Sequence, residues 1–265
     1  GPPAPLCTDA EYLRRAYLDL AGKIPSAQEA TVFLEDTRSD KRSKLVDMLL
    51  EQPHFDRNFM RVLDVMLMER RIEKVVSPGK FRDFLRTSIE ERQPLNTLIR
   101  DILVADGVNE DERSAARFLL DRSAEPHVVT RDVGRIFLGV DMQCAQCHDH
   151  PNVLHWTQAS YYGMKSFFSA TFDNGGFVAE RSEGEVTYKN TRGETLEASL
   201  QFFDRPPIEE TLLVRLDDEG RKKEKERLEQ LKKEKKPASL PSSSRRKLLV
   251  QEGLANAQGG YFARS

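Results

Sequence analysis

The chain has 265 residues, with 41 lysines and arginines against 43 aspartates and glutamates, a net charge of −2. A balance so close to neutral argues against nucleic acid as a partner, because phosphate binding needs a basic surplus gathered on one face. No apolar run reaches the length that spans a bilayer, and an apolar share of 38% is enough for one ordinary core or two smaller ones.

From Thr8 to about Leu138 the pattern predicts helices almost throughout. Leu13, Ala16, Tyr17 and Leu20 recur at helical spacing, and Gly22 stops that run. Ser26 and Glu29 form a capping box, in which each side chain satisfies a backbone N–H that would otherwise be unpaired at the start of the next helix. That helix carries Val32 and Phe33 and stops at Asp36. Further helices are expected over residues 40–51, 53–70, 80–92, 94–105, 111–122 and 126–138, with Pro78 after Ser77 as a start signal and Gly107 and Gly139 as stops. In the last of these, Val129, Val133, Ile136 and Phe137 form one apolar face, expected to pack against the segment that follows.

Thr157 can cap one more helix, on which Tyr161, Met164, Lys165 and Phe168 share a side. Val186 and Tyr188, a turn from Asn190 to Gly193, and alternating Leu196, Ala198, Leu200 and Phe202 suggest a β-hairpin that would be marginal alone. Residues 217–236 are nearly all charged, with Leu228 and Leu231 as the main apolar positions. They read as a solvated helix, a mobile linker or a contact arm, with Pro237 to Ser244 as a linker. The fold class is therefore mainly α. A multi-helix domain is expected over 8–172, a small β-hairpin appendage over 173–215, a charged helix and linker over 216–244, and the start of a downstream domain over 245–265.

Between two of the predicted helices, Cys144, Ala145, Gln146, Cys147 and His148 form the pattern that attaches c-type haem. Two thiols on one turn add to the haem vinyl groups, and the next imidazole sits under the iron. Cys7, the third of 3 cysteines, is left over and reads as a free thiol. The same pair could hold zinc, but a structural zinc site wants four ligands. The remaining supply, Asp149, His150 and His155, is crowded against the first two. A disulfide or inert thiols is the third reading, and a thioredoxin-like site would need a βαβ setting that the pattern lacks.

Under the haem reading His150 cannot reach the opposite face, since two residues extend about 7 Å at most. It is expected behind the first ligand, on a haem propionate, or in the alternative metal site, with Asp149 as its partner. Met164 on the following helix, His127 near a helix start and His155 in a loop are the candidates for the sixth position, which otherwise stays open. Trp156, Tyr161 and Tyr162 read as core aromatics or as the lining of a haem edge. No nucleophile triad or glycine-rich phosphate loop is visible.

Two blocks of sequence carry a resemblance. The first is Tyr12 to Gly22 with Ile24, Pro25 and Ser26, followed by Lys44 to Asp47, Leu49, Leu50 and Pro53 to Phe55. The second is Phe137 to Val140, Gln143 to Pro151, Trp156 to Gln158, Tyr161 to Gly163, Phe167 and Phe168. Together they resemble the planctomycete cytochrome-like domain family of unassigned function, over most of residues 8–170. Tyr261 to Arg264 resembles that family's entry into a second domain. The resemblance implies an exported, often multidomain protein, periplasmic or at the cell surface, and an expectation of haem c, but no reaction. Gly1 and Pro2 read as the remnant of a protease cleavage, with an export signal expected outside this sequence. The leading expectation is a one-electron transfer module whose partner is a redox protein or a downstream domain of the same chain. The alternatives are a haem enzyme with an open distal site and a non-catalytic binding or scaffold module whose cysteines hold zinc or a disulfide.

Overall fold

The computed structural model describes residues 5–203, 205–209, 216–238 and 244–255, which are mainly helical with two small antiparallel hairpins. Two compact units are formed, Gly1–Arg70 with Arg82–Gln93, and Arg71–Phe81 with Pro94–Ser265. Among the described residues no helix is long and apolar enough to cross a membrane.

The first unit contains α1 (Asp9–Ala16), α2 (Ala27–Glu35), α3 (Lys41–Leu50), α4 (Pro53–Met68) and α5 (Pro78–Glu90) from Arg82 onward. The capping box at Ser26 is present, with Ser26 N donating to Glu29 Oε2 at 2.7 Å and Glu29 N donating to Ser26 Oγ at 3.2 Å. Thr8 and Glu11 form a second box that the sequence pattern had not singled out. Leu13, Tyr17, Ala21, Phe33, Leu45 and Leu49 make the core, which is the helical stripe read from the sequence continued onto α2 and α3. Beyond Ala16 the helix widens into a π turn, Tyr17–Ala21. There the Asn58 amide donates to the carbonyls of Asp19 and Leu20 at 2.9 and 3.4 Å. Gly22 ends the run at φ 67°, and a Cβ there would collide with that amide, so only glycine serves both the conformation and the contact.

The second unit opens with α6 (Leu95–Val104). The single helix expected over 111–122 is instead two one-turn helices, α7 (Glu110–Arg113) and α8 (Arg117–Leu120). Ala115 and Ala116 are pressed into the core between them, and the backbone switches to i to i−3 bonds, Arg117 N to Ser114 O and Phe118 N to Ala115 O. Next comes α9 (Pro126–Phe137), where Val129, Val133 and Phe137 are buried and Ile136 half-buried. Asp132 of α9 is fully buried and accepts from Arg71 and Arg122 at 2.7 Å and from Arg131 at 2.8 Å.

After α10 (Gln158–Ser166), which touches α9, come β1 (Thr171–Asp173) and β2 (Val178–Glu180), paired Thr171 to Glu180. This hairpin lacked a sequence signal, because its strands are three residues long and both faces are partly covered. The expected hairpin follows as β3 (Thr187–Lys189) and β4 (Thr195–Glu197), with Asn190 Oδ1 accepting from the N–H groups of Arg192 and Glu194. It is packed rather than pendant. Tyr188 stacks on Tyr162 at 4.2 Å, and the chain beyond β4 crosses α10 so closely that a Cβ on Gly163 would lie 3.0 Å from that of Gln201.

The charged segment forms α11 (Asp218–Lys233), exposed over most of its surface but docked through Leu228 onto Ala179 and Ala238 and through an Arg221–Glu183 ion pair. Residues 239–243 of the expected linker, and Tyr261 to Arg264, lie outside the described residues. α12 (Arg245–Leu248) is tied into this unit by Arg246, whose Nε donates to Glu180 at 2.7 Å and whose NH1 donates to the carbonyls of Leu103 and Ala105 at 3.0 Å.

Two stability measurements follow from these buried charges. Glu180→Gln leaves the Arg246 guanidinium without its counter-charge, and the expected cost is about 3 kcal/mol in urea unfolding; a change below about 1 kcal/mol would show that the pair carries little. For Asp132, burial raises the carboxyl pKa, but the hydrogen bonds and charges of Arg131 and Arg122 outweigh it and hold the carboxyl below its usual range. Its contribution is therefore complete above the unfolded value of about 3.9 and is lost as pH falls through the lower folded value. Asp132→Asn is expected to be less stable than the parent at neutral pH, and the gap should shrink on acidification below about pH 4.

Candidate functional site

α9 ends at Phe137, and the N–H groups of Leu138 and Val140 both return to the Gly134 carbonyl, at 3.2 and 2.9 Å. The chain then enters a 3₁₀ turn, Gln143–Gln146, anchored inward by Met142 and Ala145, which are buried. Cys144 and Cys147 are exposed and free. The Cys147 and His148 N–H groups both point back to the Cys144 carbonyl, at 3.3 and 3.4 Å. In a 3₁₀ turn side chains three residues apart eclipse, and the spacing of Cys144 and Cys147 has that period.

α10 holds this turn by its main chain. Tyr162 donates its hydroxyl to the Gln146 carbonyl at 3.1 Å, and Gln158 Nε2 donates to the Cys147 carbonyl at 3.0 Å and more loosely to that of Lys189 at 3.4 Å. Asp149 faces the helix rather than His150, with its Oδ1 accepting from Gln158 N at 2.8 Å. Thr157 caps α10 as expected, accepting from Ser160 N at 3.2 Å. The His148 ring is exposed, and its Nδ1 lies 2.8 Å from the Asp149 carbonyl. A carbonyl can only accept, so Nδ1 carries a proton, and in the neutral ring Nε2 then holds the lone pair.

The other candidates are placed differently. His150 closes the following loop: its Nδ1 accepts from Asn152 N and Val153 N at 3.2 and 3.1 Å, and its ring meets Trp156 edge-on at 5.2 Å. His155 is exposed and also meets Trp156 edge-on, at 5.9 Å. Met164 is sealed in the core at 1% exposure. His127 is half-buried, with Nδ1 2.9 Å from the Tyr161 hydroxyl, and Tyr161 in turn meets Tyr162 at 5.2 Å. Burial first, and the charge of Lys165 second, hold His127 below its usual pKa, which keeps it neutral. Burial also pushes both phenols upward, with Cys147 adding to the effect on Tyr162. Thus Cys144, Cys147 and His148 share one exposed turn, His127 is linked to it through two tyrosines, and Met164 is buried. Among the described residues no three His, Cys, Asp or Glu side chains gather closely enough to hold a metal ion, so the four-ligand zinc shell is not assembled.

The sequence reading missed Gln158 and Tyr188 at this site. Gln158 stands four residues before Tyr162 and so shares its side of α10; Tyr188 is the inward position of a strand read only as an appendage.

Residues 2–173 match the family described as PSCyt2, protein of unknown function (DUF1549). The chain belongs to that family. No curated protein and no solved structure matches it. The matched span includes the cysteine turn and α10 and stops at the end of β1, so Tyr188, which stacks on Tyr162, lies outside it.

Gln158→Leu removes the donor to the Cys147 carbonyl. It is expected to lower stability by about 1–2 kcal/mol and to speed amide exchange at Cys147 and His148 more than at residues of α6. Uniform acceleration across both segments would mean that Gln158 supports the fold and not the turn.

Proposed function

We propose that the Cys144–His148 turn attaches haem c, by thioethers at Cys144 and Cys147 and through His148 Nε2 to the iron, and that the module passes single electrons. The observation that carries this reading is two exposed, free thiols three residues apart, followed by an imidazole whose Nδ1 lies 2.8 Å from a carbonyl, which in the neutral ring leaves Nε2 as the ligand atom. A ligating histidine usually donates its second nitrogen to a carbonyl or carboxylate, which fixes the tautomer and the ring orientation, and Asp149 O serves that role here. Leu154, 92% exposed, and half-buried Trp156 supply apolar surface in the next loop. Bound haem would supply a one-electron couple at this surface, tuned by axial ligation and burial. The kinship with planctomycete cytochrome-like proteins, the export to periplasm or cell surface, and a redox protein or downstream domain as partner belong to the same proposal. They are supported by the residue blocks that flank the turn.

A second reading, a haem with an open face that binds a small ligand such as peroxide, is favoured by one observation. Met164, the methionine of the helix after the turn, is sealed in the core.

The test is the absorption spectrum, oxidised and reduced, and the pyridine haemochrome of the chain matured in an exporting bacterial host. Covalent haem c with low-spin, six-coordinate iron is the expected result, and His148→Ala should lose the low-spin spectrum. High-spin, five-coordinate iron would replace electron transfer by the open-face reading. Absence of haem from a folded chain would overturn both and leave a binding or scaffold module.

A further inference from the structure

We propose that Lys165 receives a carboxylate of the porphyrin attached at Cys144 and Cys147, an inference that rests on the haem reading above. Gln158, Tyr161, Tyr162 and Lys165 are three, four and seven residues apart and lie along one side of α10. Gln158 bonds the carbonyl of Cys147 and Tyr162 that of Gln146. Lys165 continues the stripe, its Nζ 5.6 Å from the centre of the Tyr162 ring. The stripe therefore begins at the thiol turn, and the backbone of its last member, Lys165, lies about 10 Å further along the helix axis, with the ammonium against the Tyr162 ring. A porphyrin joined to protein through its vinyl groups carries its two carboxylates on the opposite edge. A cation for them belongs at the far end of such a stripe.

The local electrostatics leave that place open to an anion. Lys165 is half-buried, and among the described residues its ammonium has no hydrogen bond or ion pair. Glu125 is the carboxylate whose field reaches it, but the Glu125 oxygens cap α9 by accepting from His127 N at 3.1 Å and Val128 N at 2.7 Å. The groups around it are His127, held neutral, and Tyr161 and Tyr162, whose phenols stay protonated; Arg131 adds positive field at Tyr161. None of them neutralises the lysine. Lys225 and Lys232 on α11 also lack ion pairs among the described residues, but they are exposed, where water serves as partner. A partly desolvated ammonium without a counter-ion costs free energy that an arriving carboxylate recovers.

Equilibrium titration of the full chain, thiols reduced, with iron protoporphyrin IX and with its dimethyl ester reads the contact directly. Lys165→Met is expected to weaken binding of the diacid about tenfold while leaving the diester unchanged, and Lys165→Arg to restore most of the loss. Equal loss for both porphyrins, or loss for neither, overturns the role of Lys165 and leaves the haem reading standing. If the parent chain binds neither porphyrin, the Lys165 contact is overturned, while the haem reading stands or falls on the pyridine haemochrome of the matured chain.

Discussion

The cysteine turn depends on one constraint, the hydrogen bonds by which α10 holds its backbone. Gln158 and Tyr162 each send a side-chain donor to a carbonyl of the turn. Leaving such a carbonyl unpaired against protein costs about 1–3 kcal/mol, so the turn cannot lift away without breaking into the helix face. The position of α10 is itself set by Tyr161, Met164, Phe167 and Phe168, all buried. The rigidity of the core is passed through two side chains to a segment whose own side chains face solvent. A site carried by a loop but fixed by a packed helix keeps its geometry better than a loop alone could.

Around this frame the second unit is tied together by charge as much as by apolar burial. Arg246 joins β2 to the end of α6, and Asp132 gathers Arg71, Arg122 and Arg131 around one carboxylate. Buried pairs of this kind add little net stability over an apolar replacement, but removing one partner is costly, so they select a single arrangement. Arg246 and Leu103 are far apart in sequence. Their contact makes the described C-terminal segment part of the same block as α6, with no hydrophobic pattern that could have announced it.

The helices of the first unit were legible because their signals are local: Ser26 with Glu29, Gly22, and a stripe of apolar residues at helical spacing. The break between α7 and α8 was not, since it arises from tertiary burial of Ala115 and Ala116, and alanine otherwise favours an unbroken helix. The thiols and His148 were legible as a spacing. The tautomer of His148, the sealing of Met164 and the commitment of Asp149 to Gln158 depend on which way side chains turn, and no periodicity records that.

Every bond that secures the cysteine turn goes to a main-chain atom, and this bears on what the turn is for. Had Cys144 and Cys147 been structural residues, burial would be expected, since free cysteine is among the most buried residue types. The two histidines also differ in how Nδ1 is used: in His150 it accepts from two N–H groups of its own loop, whereas in His148 it donates to a carbonyl, so that in the neutral ring Nε2 holds the lone pair. The thiols and one imidazole nitrogen are left available on a backbone held from behind. An exposed leucine stands six residues further on at Leu154. Single exposed leucines are common on protein surfaces. Leu154 therefore carries no weight alone; on the haem reading proposed above, the two exposed thiols and the His148 imidazole are the groups that vinyl carbons and iron would engage, on a backbone secured by α10.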